Sequence, residues 1–259
     1  MTRIFAGACV LCAAALPSFA SAQDYVQLGI GADYSSGDYG EEVDTTMLAV
    51  PVSAKLKTGD LIVSLSVPWV SVDGPTGVIP GDGGVRGGGS GGSDAVETAS
   101  RSGLGDVVAR ATYSFALSDT TYFDATGKVK LPTASVEKSL GTGTTDVTLQ
   151  GELMQVFGDV SAAVRAGRRF NGESDDFALD DVWLGGASLF YVTGDTTWGL
   201  DYDWRDGSLP TAPNRSELTG SATHKLSDAL RLQGYAYTGL ADGSPDIGAG
   251  AQVLYRFGQ

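Results

Sequence analysis

Thr196-Thr197-Trp198-Gly199-Leu200-Asp201-Tyr202-Asp203-Trp204-Arg205 alternates without a break. Trp198, Leu200, Tyr202 and Trp204 fall on one parity, and Thr197, Gly199, Asp201, Asp203 and Arg205 on the other. A period of two identifies a β-strand, because successive side chains leave the pleat on opposite faces. The same pattern recurs elsewhere. Val107, Ala109, Ala111, Tyr113, Phe115 and Leu117 alternate with Asp106, Arg110, Thr112 and Ser114. Leu48, Val50, Val52, Ala54 and Leu56 alternate with Ser53, Lys55 and Lys57, and Val253, Tyr255 and Phe257 with Gln252 and Arg256. Amphipathic helix signals are absent, and the Gly and β-branched content agrees with strands.

Extended along the chain, this period predicts twelve strands, at 25–35, 45–57, 61–72, 104–117, 121–131, 146–157, 160–170, 181–193, 196–206, 216–226, 230–239 and 247–257. Their connections alternate in length. Short turns stand at Thr58-Gly59-Asp60, Ser118-Asp119-Thr120, Gly158-Asp159, Gly194-Asp195 and Ser227-Asp228-Ala229. Longer loops stand at about 36–44, 73–103, 132–145, 171–180, 207–215 and 240–246. An outer-membrane barrel has this form: an even strand number, tight periplasmic turns and longer extracellular loops. Ten or eleven residues at ~3.3 Å each, tilted ~40°, cover its ~25 Å apolar band. A soluble sandwich would bury the apolar faces in one core, but gives no reason for the connections to alternate. A closed barrel also pairs every strand edge. The expected fold is all-β, a single antiparallel transmembrane β-barrel of about 12 strands with short periplasmic turns and long extracellular loops.

Aromatic placement agrees. Phe115, Phe157, Tyr191, Trp198, Tyr255 and Phe257 fall near the short-turn ends, and Tyr34, Trp69, Trp183, Tyr202 and Trp204 nearer the long-loop ends. Two such groups are the expected interfacial girdles.

Composition narrows the function. The chain has 259 residues, a formal net charge of −14, 37 Gly, one His and two Cys. Residues 1–22 read as a secretory signal. Arg3 supplies the positive region, Ile4 to Leu16 the apolar stretch, and Ala20-Ser21-Ala22 the cleavage site before Gln23. Residues 23–259 then form the barrel. Cys9 and Cys12 both lie inside the signal, so the expected mature chain has no disulfide, thiolate metal site or Cys nucleophile. Beyond residue 22 no apolar run approaches the ~18 residues of a spanning helix. Mean hydropathy is +0.01, as expected where lipid-facing and lumen-facing residues cancel. The acidic excess argues against nucleic acid as a partner.

Three segments carry a family resemblance. Gly103-Leu104-Gly105-Asp106-Val107, Lys128-Val129-Lys130-Leu131-Pro132-Thr133, and Gly141-Thr142-Gly143 running into Asp146 resemble the outer-membrane barrels of the MetA-pathway of phenol degradation family. Many of its members are labelled transporters. The resemblance extends from about residue 100 to Tyr255-Arg256-Phe257, with the Gly-rich stretch 81–92 outside it. It implies an outer-membrane location and uptake of small, aromatic or apolar molecules. The alternating aromatic end, Val253, Tyr255 and Phe257, is of the kind the barrel-assembly machinery recognises, although Gly258-Gln259 follow it.

By parity the lumen receives Asp33, Asp106, Asp124, Asp146, Glu152, Asp201, Asp203 and Glu217, opposed by Lys55, Lys57, Arg110, Lys128, Lys130, Arg165, Arg169, Arg205, Lys225, Arg231 and Arg256. A salt-bridged, hydrated interior accounts for most of them, since unpaired charges there are costly. A permeation path is the functional alternative, with Asp106, Arg110, Lys128, Lys130, Asp201, Asp203, Arg205 and Arg231 as candidate lumen-lining residues. The long loop 73–103, with its Gly81 to Gly92 stretch, is the expected plug or gate.

No catalytic or metal site is expected. His224 is the only histidine, lies at the short-turn end and shares the outward parity of Leu218, Ala222 and Leu226. It offers no triad at the extracellular end. Asp38, Glu41, Glu42 and Asp44 in one loop, and Glu173, Asp175, Asp176 and Asp180 in another, could offer oxygen ligands to a divalent cation. They read better as solvated loop faces. The sequence thus predicts a Gram-negative outer-membrane channel or transporter embedded in the lipid bilayer, without cofactor, and not an enzyme. A structural or surface-interaction barrel and an outer-membrane hydrolase are the alternatives.

Overall fold

The computed structural model describes residues 24–80, 84–85, 97–174, 179–209 and 212–258. The signal segment read at 1–22 and nearly all of Gly81 to Gly92 lie outside the described residues. The described elements are β1 (Tyr25–Gly37), β2 (Thr45–Thr58), β3 (Leu61–Pro75), β4 (Val78–Ile79), β5 (Gly84–Val85), β6 (Thr98–Leu104), β7 (Val107–Ala116), β8 (Thr121–Leu131), β9 (Asp146–Phe157), β10 (Val160–Phe170), β11 (Val182–Thr193), β12 (Thr196–Arg205), β13 (Arg215–Lys225), β14 (Leu230–Gly239) and β15 (Ile247–Phe257). Each wall strand pairs antiparallel with its neighbours, and β1 pairs with β15 through Val26 opposite Phe257 and Ser36 opposite Ile247. That pairing closes a 12-strand barrel in which β6 and β7 are two halves of one strand. β4 and β5 form a small separate ribbon.

The two faces separate as the parity requires. Val26, Leu28 and Ile30 on β1, Leu149 and Leu153 on β9, Val164 on β10 and Leu200 on β12 are exposed on the outside. Gln27, Asp33, Lys55, Glu152, Arg165 and Asp201 are buried on the inside. A continuous apolar exterior far exceeds what a water-facing protein exposes, and it matches a lipid-facing wall. The chain starts beside the short turns, where Asp24 accepts hydrogen bonds from Gly59 N at 2.9 Å and Thr58 Oγ1 at 3.2 Å. At the same end Tyr255 and Phe257 pack at 4.6 Å and Tyr113 and Phe115 at 4.7 Å, ring centre to ring centre. Across the barrel's height, outward Arg168 lies 5.4 Å from the Phe170 ring and 5.2 Å from Trp183.

The fourth wall strand differs from its expected span of 104–117. It breaks at Gly105-Asp106, and its upper half, β6, pairs among the described strands with β3 alone, from Trp69 opposite Leu104 to Pro75 opposite Thr98. The cause lies on β3. Pro68 has no N–H to give to the ladder, while its carbonyl accepts Gly105 N at 2.8 Å. A side chain at 105 would meet the proline ring at 2.8 Å, so glycine is required at this bulge.

Candidate functional site

The three segments quoted above for the family resemblance meet inside the long-loop end of the barrel. Asp106 stands at the break between β6 and β7, Lys130 near the end of β8, and Asp146 at the start of β9. Lys130 Nζ lies 2.8 Å from Asp146 Oδ2 and 3.5 Å from Asp106 Oδ2. It also donates to Thr142 Oγ1 at 2.8 Å. Thr142 and Thr144 share a 2.8 Å hydrogen bond, and Thr144 Oγ1 donates to Asp146 Oδ1 at 2.9 Å. Ala134 N donates to Asp106 Oδ1 at 2.9 Å, and Thr133 Oγ1 accepts from Val107 N at 2.8 Å and donates to the Gly105 carbonyl at 3.0 Å. Both ends of the 132–145 segment are thereby hooked to the wall.

Burial gives this latch its strength. Lys130, Asp106 and Asp146 are 7 %, 7 % and 2 % exposed. One ammonium cannot neutralise two carboxylates, so amide donors carry part of the load. Besides Ala134, Gly172 N donates to Asp146 Oδ1 at 3.1 Å. Buried charges persist only when paired and hydrogen-bonded, and loss of one partner from such a set costs several kcal/mol.

The segment held by the latch is a compact turn, with Leu140 N donating to the Ser135 carbonyl at 2.9 Å and Ser139 N to that of Val136 at 2.8 Å. It inserts Ala134 and Leu140 into the mouth against Ala49, Val70 and Val72, with Met47 alongside. Tyr39 and Val78 pack against Met47 as well. Gly103 makes room, since a Cβ there would lie 2.9 Å from Leu140 Cδ1. Buried Arg101 binds the surrounding backbone together. It donates to the carbonyls of Gly74 at 3.1 Å, Pro75 at 3.0 Å, Ala99 at 3.2 Å and Ser139 at 3.4 Å, and to Val78. Among the described residues, segment 132–145 is thus one of those inserted into the mouth. From the expected plug, 73–103, the described contribution is its base, with Val78 and Ile79 buried at 1 % and 3 % exposure.

Deeper in the barrel, charge pairs run along the wall. Glu152, Arg165, Gly186, Asp203 and Glu217 face one another in register across β9 to β13. Arg165 passes over Gly186, where a Cβ would lie 2.8 Å from its guanidinium carbon, and reaches Asp203 Oδ1 at 2.6 Å. It also donates to Ser188 Oγ at 2.7 Å, which in turn donates to Asp201 Oδ1 at 2.7 Å. A second bridge uses the same device. Tyr237 on β14 crosses β15 above Gly248 and donates to Asp33 on β1 at 2.9 Å. A Cβ at 248 would lie 2.0 Å from that ring. Gly248→Val is expected to expel the ring and lower barrel stability by about 1–3 kcal/mol, read by denaturant unfolding in detergent. An unchanged midpoint would contradict this packing.

The remaining candidates are dispersed. Arg110 and Lys128 stand opposite each other on β7 and β8, and Arg205 lies near the long-loop end opposite Arg215. Arg231 is at the short-turn end opposite Lys225. Arg215, which pairs with Glu217 at 2.8 Å, and Arg101 fall in the loops that the sequence pattern predicts at 207–215 and 73–103, outside the lumen set that parity gives. His224 is on the outer face, its Nδ1 2.8 Å from Thr196 Oγ1. In the first long loop, partial burial, and then the charge of Glu42, raise the Glu41 carboxyl above its ordinary pKa. Among the described residues no group of three or more His, Cys, Asp or Glu is arranged to hold a metal.

The fold has relatives among solved structures. An outer-membrane channel from Pseudomonas putida F1 aligns over 93% of this chain and 99% of its own, with a TM-score of 0.70 at 16% identity. The NanC porin aligns over 88% and 98%, at 0.59 and 9%. The KdgM porin aligns over 88% and 99%, at 0.55 and 11%. At these identities the likeness is one of fold: the same barrel architecture is found in this channel and these porins. No family model and no curated protein matches the sequence.

Proposed function

We propose that the protein is an outer-membrane channel for small solutes whose outer mouth is closed by the 132–145 segment and opens when the Lys130 latch releases. The observation that carries this reading is the inserted segment itself, tied to the wall by a compact ion-paired hook. A barrel that served only as a scaffold has no use for a loop folded into its own entrance. Below it, ion pairs such as Arg165–Asp203 line the wall. The apolar mouth around Met47, Val70, Val72 and Leu140 suits a solute with an apolar part, in keeping with the family resemblance. Residues 1–22 act in this scheme as the export signal, and the Val253, Tyr255 and Phe257 strand as the feature read by the assembly machinery.

Lys130→Met removes the ammonium and leaves Asp106 and Asp146 facing each other. Liposomes carrying this variant are expected to take up a small neutral sugar several-fold faster than those carrying the wild type. Heat-modifiable gel mobility checks that both barrels are folded. Folded barrels that are both impermeable would support the structural alternative, and equal uptake would remove the latch.

A further inference from the structure

The short-turn end of the lumen is rich in basic side chains. Lys55 and Lys57 on β2, Lys225 on β13, Arg231 on β14 and Arg256 on β15 all face inward within a few residues of the short turns. These strands are consecutive around the barrel, with β1 between β2 and β15. Asp228 pairs with Lys225 at 2.6 Å and also lies close enough to act on Arg231. On the far side, Asp124 is the nearby carboxylate, and it feels Lys57 and accepts from Ser114.

Arg231 and Arg256 form the centre of this arc and repel each other. Arg256 spends its Nε on Gln27 Oε1 at 2.8 Å and rests its guanidinium 4.2 Å from the Tyr25 ring centre. Its Nη2, and Nη1 of Arg231, have no hydrogen-bond partner among the described residues. Two like charges on neighbouring strands of a narrow lumen raise its local potential in favour of an anion. Planar guanidinium groups match a carboxylate bidentately.

The wall above the pair is aromatic. Tyr235 lies flat over Gly250, where a Cβ would be 2.4 Å from its ring. Its ring stacks with Tyr237 at 6.3 Å and 18°. Gln233 and Gln252, hydrogen-bonded to each other, separate the tyrosines from the arginines. Along β14 and β15 the lumen thus offers the two guanidinium groups and, beyond buried Gln233, the partly exposed ring of Tyr235, with Tyr237 buried behind it.

We infer that Arg231 and Arg256 form a binding site for small organic carboxylates at the periplasmic end of the lumen, with the partly exposed ring of Tyr235 as the platform along which the planar body of such a solute passes. The site rests on the channel reading and gives it a solute class. A carboxylate arriving from the mouth would exchange tyrosine stacking for the guanidinium pair before leaving toward the periplasm.

Equilibrium binding of benzoate and of acetate to the folded barrel in detergent tests the site without requiring conduction. Isothermal titration is expected to show benzoate bound by the wild type more tightly than acetate. The Arg231→Gln/Arg256→Gln double variant should bind benzoate at least tenfold more weakly, about 1.4 kcal/mol. Arg168→Gln, on the outer face of the barrel, should bind as the wild type does. No benzoate binding, or equal binding by wild type and double variant, would overturn the site. Inorganic phosphate bound more tightly than benzoate would overturn the carboxylate assignment. Channel recordings on the same samples are independent: benzoate binding without conductance would refute the channel and leave the site standing.

Discussion

Leu200→Arg is expected to destabilise the barrel by about 2–4 kcal/mol, while Asp201→Asn, one residue away, costs roughly 1 kcal/mol or less. Leu200 lies in the middle of β12, 46 % exposed on the outer face, in register with Leu189 and Gly220. A guanidinium there would enter hydrocarbon with no partner. Asp201 is fully buried on the opposite face, accepting the Ser188 hydroxyl at 2.7 Å. An asparagine keeps an oxygen for that hydrogen bond, and Arg165 keeps Asp203 at 2.6 Å. Urea titration of folding into lipid vesicles measures both. Equal losses would mean that the two parities do not face different media.

Arg165→Leu has the larger expected cost inside the lumen, about 3–5 kcal/mol. Arg165 is 6 % exposed and serves three carboxylates: Asp203 at 2.6 Å, Asp201 at 3.9 Å and Glu152 at 4.0 Å. Leucine fills most of the volume but leaves those negative charges facing one another. Adding Asp203→Asn to Arg165→Leu should therefore recover part of the stability, although Asp203→Asn alone is destabilising. A double-mutant cycle in the same vesicle assay reads the coupling. Strict additivity would show that Arg165 acts through its bulk alone.

The wall was legible because its physics is local. Apolar residues at one parity and charges at the other follow from a membrane outside and water inside, and alternation is visible in a single strand such as β12. The alternation of turns and loops then gave the barrel its polarity. The mouth was less legible because it is made by contacts far apart in sequence. Asp106, Lys130, Thr142 and Asp146 were already set apart by family resemblance, yet only folding brings the amine of one against the carboxylates of the others. β3 held a clue that parity alone undervalued. Ile62, Val70 and Val72 are apolar on the inward face while Val63, Leu65 and Trp69 are apolar on the outer one. A strand apolar on both sides has something to bury on both sides, and in the mouth that is Leu140. The Arg165–Asp203 and Tyr237–Asp33 bridges were hidden for a different reason. Each spans a whole strand by passing over a glycine, so register as well as parity had to be known.

Single-channel recording in planar bilayers bears most directly on a channel closed by the 132–145 segment. Purified wild-type protein is expected to give small, infrequent steps, and Lys130→Met larger and longer ones, with heat-modifiable mobility showing that both are folded. Silence from both folded proteins would contradict the channel, and indistinguishable steps would contradict the latch.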